Sequence, residues 1–197
     1  LSVTFSPGIN CIWGSNGSGK STLLGCISGE IKVEKGDIFI EGRHATGMPR
    51  HKRPIFYIMQ NEFETVAQDL RVYENLGASM KAKSRLMLLT IRRIGMGLRD
   101  QLHKLGLTGL ARSDTVLLNQ LAGRLSGGEA QRIAAYMALM SDSHVLLADE
   151  PSSGLDEEHL AILKTIMEGM AKDGRTVIVT THDSRRFDIP GKHFKID

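Results

Sequence analysis

Residues Gly14-Ser15-Asn16-Gly17-Ser18-Gly19-Lys20-Ser21-Thr22 form a complete G-x-x-x-x-G-K-[ST] loop, and this loop constrains the fold more tightly than any other stretch of the chain. A loop of this kind holds phosphates only between a buried strand and a helix. Ile9 to Trp13 read as the short strand and Lys20 to Ser28 as the helix. The glycines reach backbone conformations closed to other residues, so successive N–H groups can turn inward onto an anion. The helix N-terminus adds partial positive charge at the same place. Lys20 is expected to reach the β- and γ-phosphates of a nucleoside triphosphate, and the Ser21 hydroxyl to ligate Mg²⁺.

Strand and helix signals alternate along much of the remaining chain. Leu1 to Phe5 alternate weakly and are expected to form a strand, with Ser6-Pro7-Gly8 turning the chain into the next one. Asp37 to Glu41, between Gly36 and Gly42, reads as an edge or half-buried strand, and Ile55 to Met59 as a short apolar one ending at Gln60. From Asn61 to Arg124 the texture turns helical, rich in Leu, Met, Arg and Lys and poor in β-branched residues. Ser126 is placed to cap a helix running to about Met140. A continuous apolar strand follows over His144 to Ala148, then a helix over Glu157 to Met170 and a strand over Thr176 to Thr180. The expected fold class is α/β: a P-loop NTPase core with a mostly parallel sheet, a small antiparallel β part and an inserted helical subdomain. Residues 1–60 and 126–197 would form the core, and 61–125 the insertion, within one domain.

The 197 residues suffice for one large domain, and 41% hydrophobic with 24% charged residues is ordinary for a soluble globular chain. No apolar run approaches the ~18–20 residues that span a bilayer, and the N-terminus lacks a signal-peptide pattern. Cytoplasmic is therefore the expected compartment. Cys11 and Cys26 fall in a predicted strand and helix and read as small core residues rather than a disulfide or metal site. The net charge is only +3, but it is unevenly spread. Between Lys81 and Lys104 lie seven basic residues against the single acid Asp100. That stretch can be a solvated helix face, or a surface turned towards anionic lipid or a membrane partner's loops. It lacks the interleaved aromatics of single-strand nucleic-acid binders.

Val145 to Ala148 run directly into Asp149-Glu150, an acidic pair at the carboxyl end of a buried strand, where open α/β sheets bind ligands. Asp149 is expected to hold Mg²⁺ through its water shell. Glu150, one step further, is placed to act as general base on an attacking water.

The chain resembles an ATP-binding cassette (ABC) ATPase, the nucleotide-binding subunit of ABC transporters, over nearly its whole length. The phosphate loop, Gln60, Leu125-Ser126-Gly127-Gly128-Glu129, the Asp149-Glu150 pair, Ser153-Gly154-Leu155-Asp156 and His182 stand in the family's order. The resemblance implies two such domains, identical or different, packed head to tail around two ATP. Each ATP would lie between one phosphate loop and the other subunit's signature, Ser126 to Glu129. Gln60 would touch Mg²⁺ and the attacking water, His182 would contact the γ-phosphate and orient Glu150, and Asp156 would contact the other subunit. A separate membrane permease would be the partner, holding the subunit on the inner face of the membrane, and no nucleic acid is expected.

Thr181 to Phe187 resemble the exporters that pair with lipoprotein-release or macrolide-efflux permeases. The rival class is a soluble ABC ATPase acting on nucleic acid or ribosomes. Against it stand the absence of a heptad tract and the presence of one phosphate loop and one signature rather than two. The family usually carries an adenine-stacking aromatic well upstream of the phosphate loop. This chain starts, at Leu1, too close to the loop for that, and Phe5 is not at the matching place.

Overall fold

The computed structural model describes residues 2–79, 118–153, 155–183 and 188–196. Its centre is a five-stranded sheet built from β1 (Gly8–Trp13), β4 (Ile55–Ile58), β5 (Val145–Asp149), β6 (Thr176–Thr181) and β7 (Lys192–Lys195), in the order β4-β5-β6-β1-β7. Every pairing in it is parallel. A second, antiparallel sheet joins β2 (Phe39–Ile40) to β3 (Arg43–His44).

Side-chain alternation along the strands divides the core in two. Leu146, Ala148, Val177 and Val179 face α4 (Gly127–Met140) and α5 (Glu157–Lys172) in one buried cluster. Val145, Leu147, Ile178 and Tyr57 point the other way, packing with Leu24 of α1 (Lys20–Ser28) and with Ile40. A parallel sheet covered on both faces needs apolar side chains at consecutive positions, which is why these strands read as unbroken apolar runs.

The differences from the sequence expectation have local causes. Residues 2–5 form no strand: both edges of β1 are taken, by β6 and by β7, and Phe5 instead packs edge-on against Phe194 at 5.1 Å between ring centroids. β7 is the element that sequence reading missed. Lys-His-Phe-Lys carries a single apolar residue, as suits an edge strand with polar side chains. The expected strand over Asp37 to Glu41 shrinks to two residues. Glu41 and Gly42 both take positive φ, 51° and 75°, and form the two-residue turn of a hairpin. Ile38 donates its N–H to the Thr46 hydroxyl rather than to a ladder partner.

Within 61–125, the structure describes α2 (Glu62–Thr65), α3 (Val72–Ser79) and a 3-10 turn at Ala122–Arg124. The basic stretch from Lys81 to Lys104 lies outside the described residues, as do Gly154 and Ser184 to Phe187. Cys11 and Cys26 are free thiols.

Candidate nucleotide and catalytic site

Strand register assembles the site. Trp13 of β1 pairs with Thr181 of β6, Asp149 of β5 with Thr180, and Ile58 of β4 with Ala148. Gly14, His182, Glu150 and Gln60 therefore all follow within two residues of paired positions, along one carboxyl edge of the sheet. Residues far apart in sequence converge there because parallel strands end together.

The loop after β1 is shaped by backbone demands. Gly17 and Gly19 hold φ of 84° and 92°. A Cβ on Gly14 would stand 2.2 Å from the Ile196 carbonyl oxygen, so β7 backs the loop too closely for any other residue. Gly19 is the N-cap of α1 and supplies no side-chain cap, which leaves the first-turn N–H groups to whatever anion the loop receives. Ser18 Oγ is buried without a hydrogen-bond partner. Lys20 is 6% exposed, and its ammonium donates to the carbonyls of Gly14 at 2.9 Å and Ser15 at 3.0 Å. Orphan donors, an unpartnered hydroxyl and a buried ammonium in one cradle fit a phosphate chain.

The acidic pair faces this cradle. Glu150 is buried, with Oε1 3.7 Å from Lys20 Nζ, and Oε2 accepts from His182 N–H at 3.2 Å and meets His182 Nδ1 at 2.7 Å. The His182 ring itself is half exposed. Glu150 sits at φ 48°, a left-handed conformation that costs a non-glycine residue of order 1–3 kcal/mol. Backbone bonds fix it: Glu150 N–H donates to the Thr180 carbonyl at 3.2 Å and Ser153 N–H donates to the Glu150 carbonyl at 3.0 Å.

Asp149 is 3% exposed. Its Oδ1 accepts from the Thr180 hydroxyl at 2.5 Å, and Oδ2 has the Tyr57 hydroxyl at 3.5 Å. Burial first, and then the Asp149 charge, push the Tyr57 phenol well above its ordinary range, so it remains a donor at neutral pH. Burial, with the Glu150 charge second, pushes the Cys11 thiol up to about 11, so this cysteine is an inert core group.

No cluster of three or more His, Cys, Asp or Glu suited to a metal occurs among the described residues. A Mg²⁺ ion needs no such cluster: one or two carboxylates with substrate phosphates and water satisfy it. Asp149 with the Ser21 hydroxyl fits that donor set, and Gln60 is exposed just beyond β4.

Ser126 caps α4 through a full capping box. It accepts from Glu129 N–H at 3.3 Å and donates to Glu129 Oε2 at 2.9 Å, while Ser126 N–H donates to the same oxygen at 2.8 Å. The hydrogen bonds of this signature turn thus stay within the turn. Gly127 and Gly128 follow as its first helical residues, and Asp156 is exposed beside the buried Leu155, whose Cδ2 lies 3.6 Å from where a Gly128 Cβ would stand.

Sequence reasoning found neither Thr180 nor Tyr57, nor Gln131, whose buried amide donates to the Pro151 carbonyl at 3.0 Å. Only Thr180 left a trace in the sequence, a hydroxyl residue closing the apolar run Val177-Ile178-Val179 two places before His182.

The model of the ABC transporter family matches residues 1–153. A putative ABC transporter ATP-binding protein of Pyrococcus furiosus is 32% identical over 192 residues, which is 93% of this chain and 66% of that protein. The thiamine import ATP-binding protein ThiQ of Aliivibrio fischeri is 32% identical over 187 residues, 93% of this chain and 73% of its own length. Among solved structures, a dimeric bacterial ABC transporter cassette superposes with a TM-score of 0.69 at 24% identity, covering 94% of this chain and 79% of the cassette. A dimeric ATP-binding cassette in a post-hydrolysis state with ADP and Pi gives 0.66 at 25% identity, with the same coverage. The chain spans 66% of the length of the Pyrococcus furiosus relative.

Proposed function

The chain belongs to the ABC transporter family, and on that premise we propose that it binds and hydrolyses ATP as the nucleotide-binding subunit of a transporter. The observation that carries this reading is the convergence of Lys20 and His182 on the two oxygens of Glu150, beside a phosphate-shaped loop.

The chain's own groups divide the work as follows. Loop N–H groups and the Lys20 ammonium hold the β- and γ-phosphates and neutralise their charge, which is most of what phosphoryl transfer requires. As phosphate enters, it competes with Glu150 for Lys20 and frees one carboxylate oxygen. Glu150 then accepts a proton from the water whose oxygen bonds to the γ-phosphorus, while the bond to the bridging oxygen breaks and ADP leaves. His182 keeps the other Glu150 oxygen in place. Mg²⁺ held by Ser21, Asp149 and Gln60 supplies further charge neutralisation when bound.

Ser126, Gly127, Gly128 and Glu129 are read as the half-site for the ATP of a second subunit, and Asp156 as a contact to it. The dimeric state of the similar post-hydrolysis cassette supports pairing with a second subunit. The division into a core of 1–60 and 126–197 with an inserted 61–125 belongs to the same reading, the insertion facing a membrane permease. Among the described residues no helix is long and apolar enough to cross a membrane; on this reading the subunit sits on the inner membrane face through that permease. The exporter resemblance at Thr181 to Phe187 competes with relatives named for import of thiamine, of spermidine and putrescine, and of ribose. We take import of a small solute as the favoured direction. These transport relatives also outweigh a role on nucleic acid or ribosomes.

The test is ATP turnover and nucleotide binding by wild type and Glu150→Gln. Binding kept and turnover lost supports the assignment; unchanged turnover removes Glu150 as the base.

A further inference from the structure

Asp149 and Thr180 are register partners on adjacent parallel strands, and both fall on the sheet face that α1 covers, the face of Leu147, Ile178 and Tyr57. Thr180 is fully buried, so its hydroxyl has no water to turn to. Its one proton goes to Asp149 Oδ1 at 2.5 Å, a length typical of a charge-assisted bond. Its oxygen in turn accepts from the Glu150 N–H at 3.1 Å, sharing that donor with the Thr180 carbonyl at 3.2 Å. One hydroxyl thus holds the carboxylate of the first acid and the backbone of the second. With Oδ1 engaged, Asp149 is left with Oδ2, which has the Tyr57 hydroxyl at a long 3.5 Å, to face a ligand. The bond to Glu150 N–H sits on a residue at φ 48°, a conformation that persists only where surrounding contacts over-determine it.

We propose that Thr180 is the positioning residue of the acidic pair: its hydroxyl aims one oxygen of Asp149 at the divalent cation and locks Glu150 in its left-handed turn. It touches neither nucleotide nor water and acts through these two neighbours. The inference rests on Asp149 being the metal-facing acid of the proposed function.

Thr180→Val keeps shape and volume while deleting the donor, and Thr180→Ser restores it. The measurement is binding of a fluorescent non-hydrolysable ATP analogue in EDTA and across a Mg²⁺ titration, without turnover. Thr180→Val should bind as wild type does in EDTA, because the phosphate loop is untouched. Its Mg²⁺ requirement should rise about tenfold or more, the usual cost of losing a hydrogen bond that orients a metal ligand, and Thr180→Ser should return it to near wild type. Thr180→Ala, which leaves space rather than an unpaired methyl, serves the same comparison if the valine variant does not fold. Amide exchange at Glu150 provides a second readout: slow in the wild type, it should quicken in Thr180→Val, where the Thr180 carbonyl is left to accept from that N–H without the hydroxyl. A hydroxyl-free variant with the wild-type Mg²⁺ requirement, or one whose Glu150 amide exchanges as slowly as in the wild type, overturns the role of Thr180 while leaving the ATPase reading intact. A wild type whose nucleotide binding ignores Mg²⁺ overturns the metal reading itself.

Discussion

Glu150 is held by Lys20 on one oxygen and His182 on the other, so a substitution there separates charge from shape. Glu150→Gln keeps the shape but cannot take a proton. It should bind ATP, hydrolyse none, and accumulate as an ATP-bound dimer by light scattering; a variant that turns over at the wild-type rate contradicts the assignment. Arg53 tests the scaffold instead. Its guanidinium is buried and donates to four carbonyls, those of Cys26 (2.8 Å), Ile27 (2.6 Å), Met48 (2.9 Å) and Thr46 (3.3 Å), closing the C-terminus of α1. Arg53→Met should cost about 1–3 kcal/mol of stability, since it strands several part-buried acceptors at once. Denaturant unfolding checks this, and a loss below about 0.5 kcal/mol, the range of ordinary surface substitutions, would show that water replaces the guanidinium freely.

At the scale of elements, the helix carrying the phosphate loop depends on a close approach. Gly14→Ala places a methyl 2.2 Å from the Ile196 carbonyl, where backbone has to move. Gly25→Ala meets only the flexible Ile31 side chain. The first should lower the melting temperature and weaken nucleotide binding by isothermal titration, while the second should leave binding intact; equal effects would mean that β7 does not brace the loop. α1 and α4 were legible in the sequence because their signals are local, Gly19 closing the loop before one and Ser126 with Glu129 boxing the other. β7 and the absent strand at residues 2–5 were not, because edge pairing depends on which strand reaches β1, and no window of sequence contains that choice. The candidate site divides in the same way. Lys20, Asp149, Glu150 and His182 stand in motifs, whereas Thr180, Tyr57 and Gln131 enter through register and helix packing that only the assembled sheet defines.

At the scale of the whole molecule, no hydrogen bond among the described residues joins the phosphate loop to the signature turn. The phosphate cradle lies at the carboxyl edge of the parallel sheet, and among the described residues the Ser126 cap bonds within its own turn. On the proposed function, each ATP is completed by the signature of a second subunit. Lys20→Ala removes the phosphate-binding charge, and Ser126→Arg blocks the anion end of α4, so each variant alone should hydrolyse no ATP. Their mixture settles the matter most directly. In a head-to-tail dimer of one copy of each, both defects fall in one composite site and the other site is intact. Mixing the two inactive proteins should therefore restore a fraction of wild-type ATP turnover, and adding Glu150→Gln to the Ser126→Arg chain, whose phosphate loop serves the intact site, should abolish it again. A mixture as inactive as its components, under conditions where wild type turns over and mixed dimers form, would contradict a site shared between two copies.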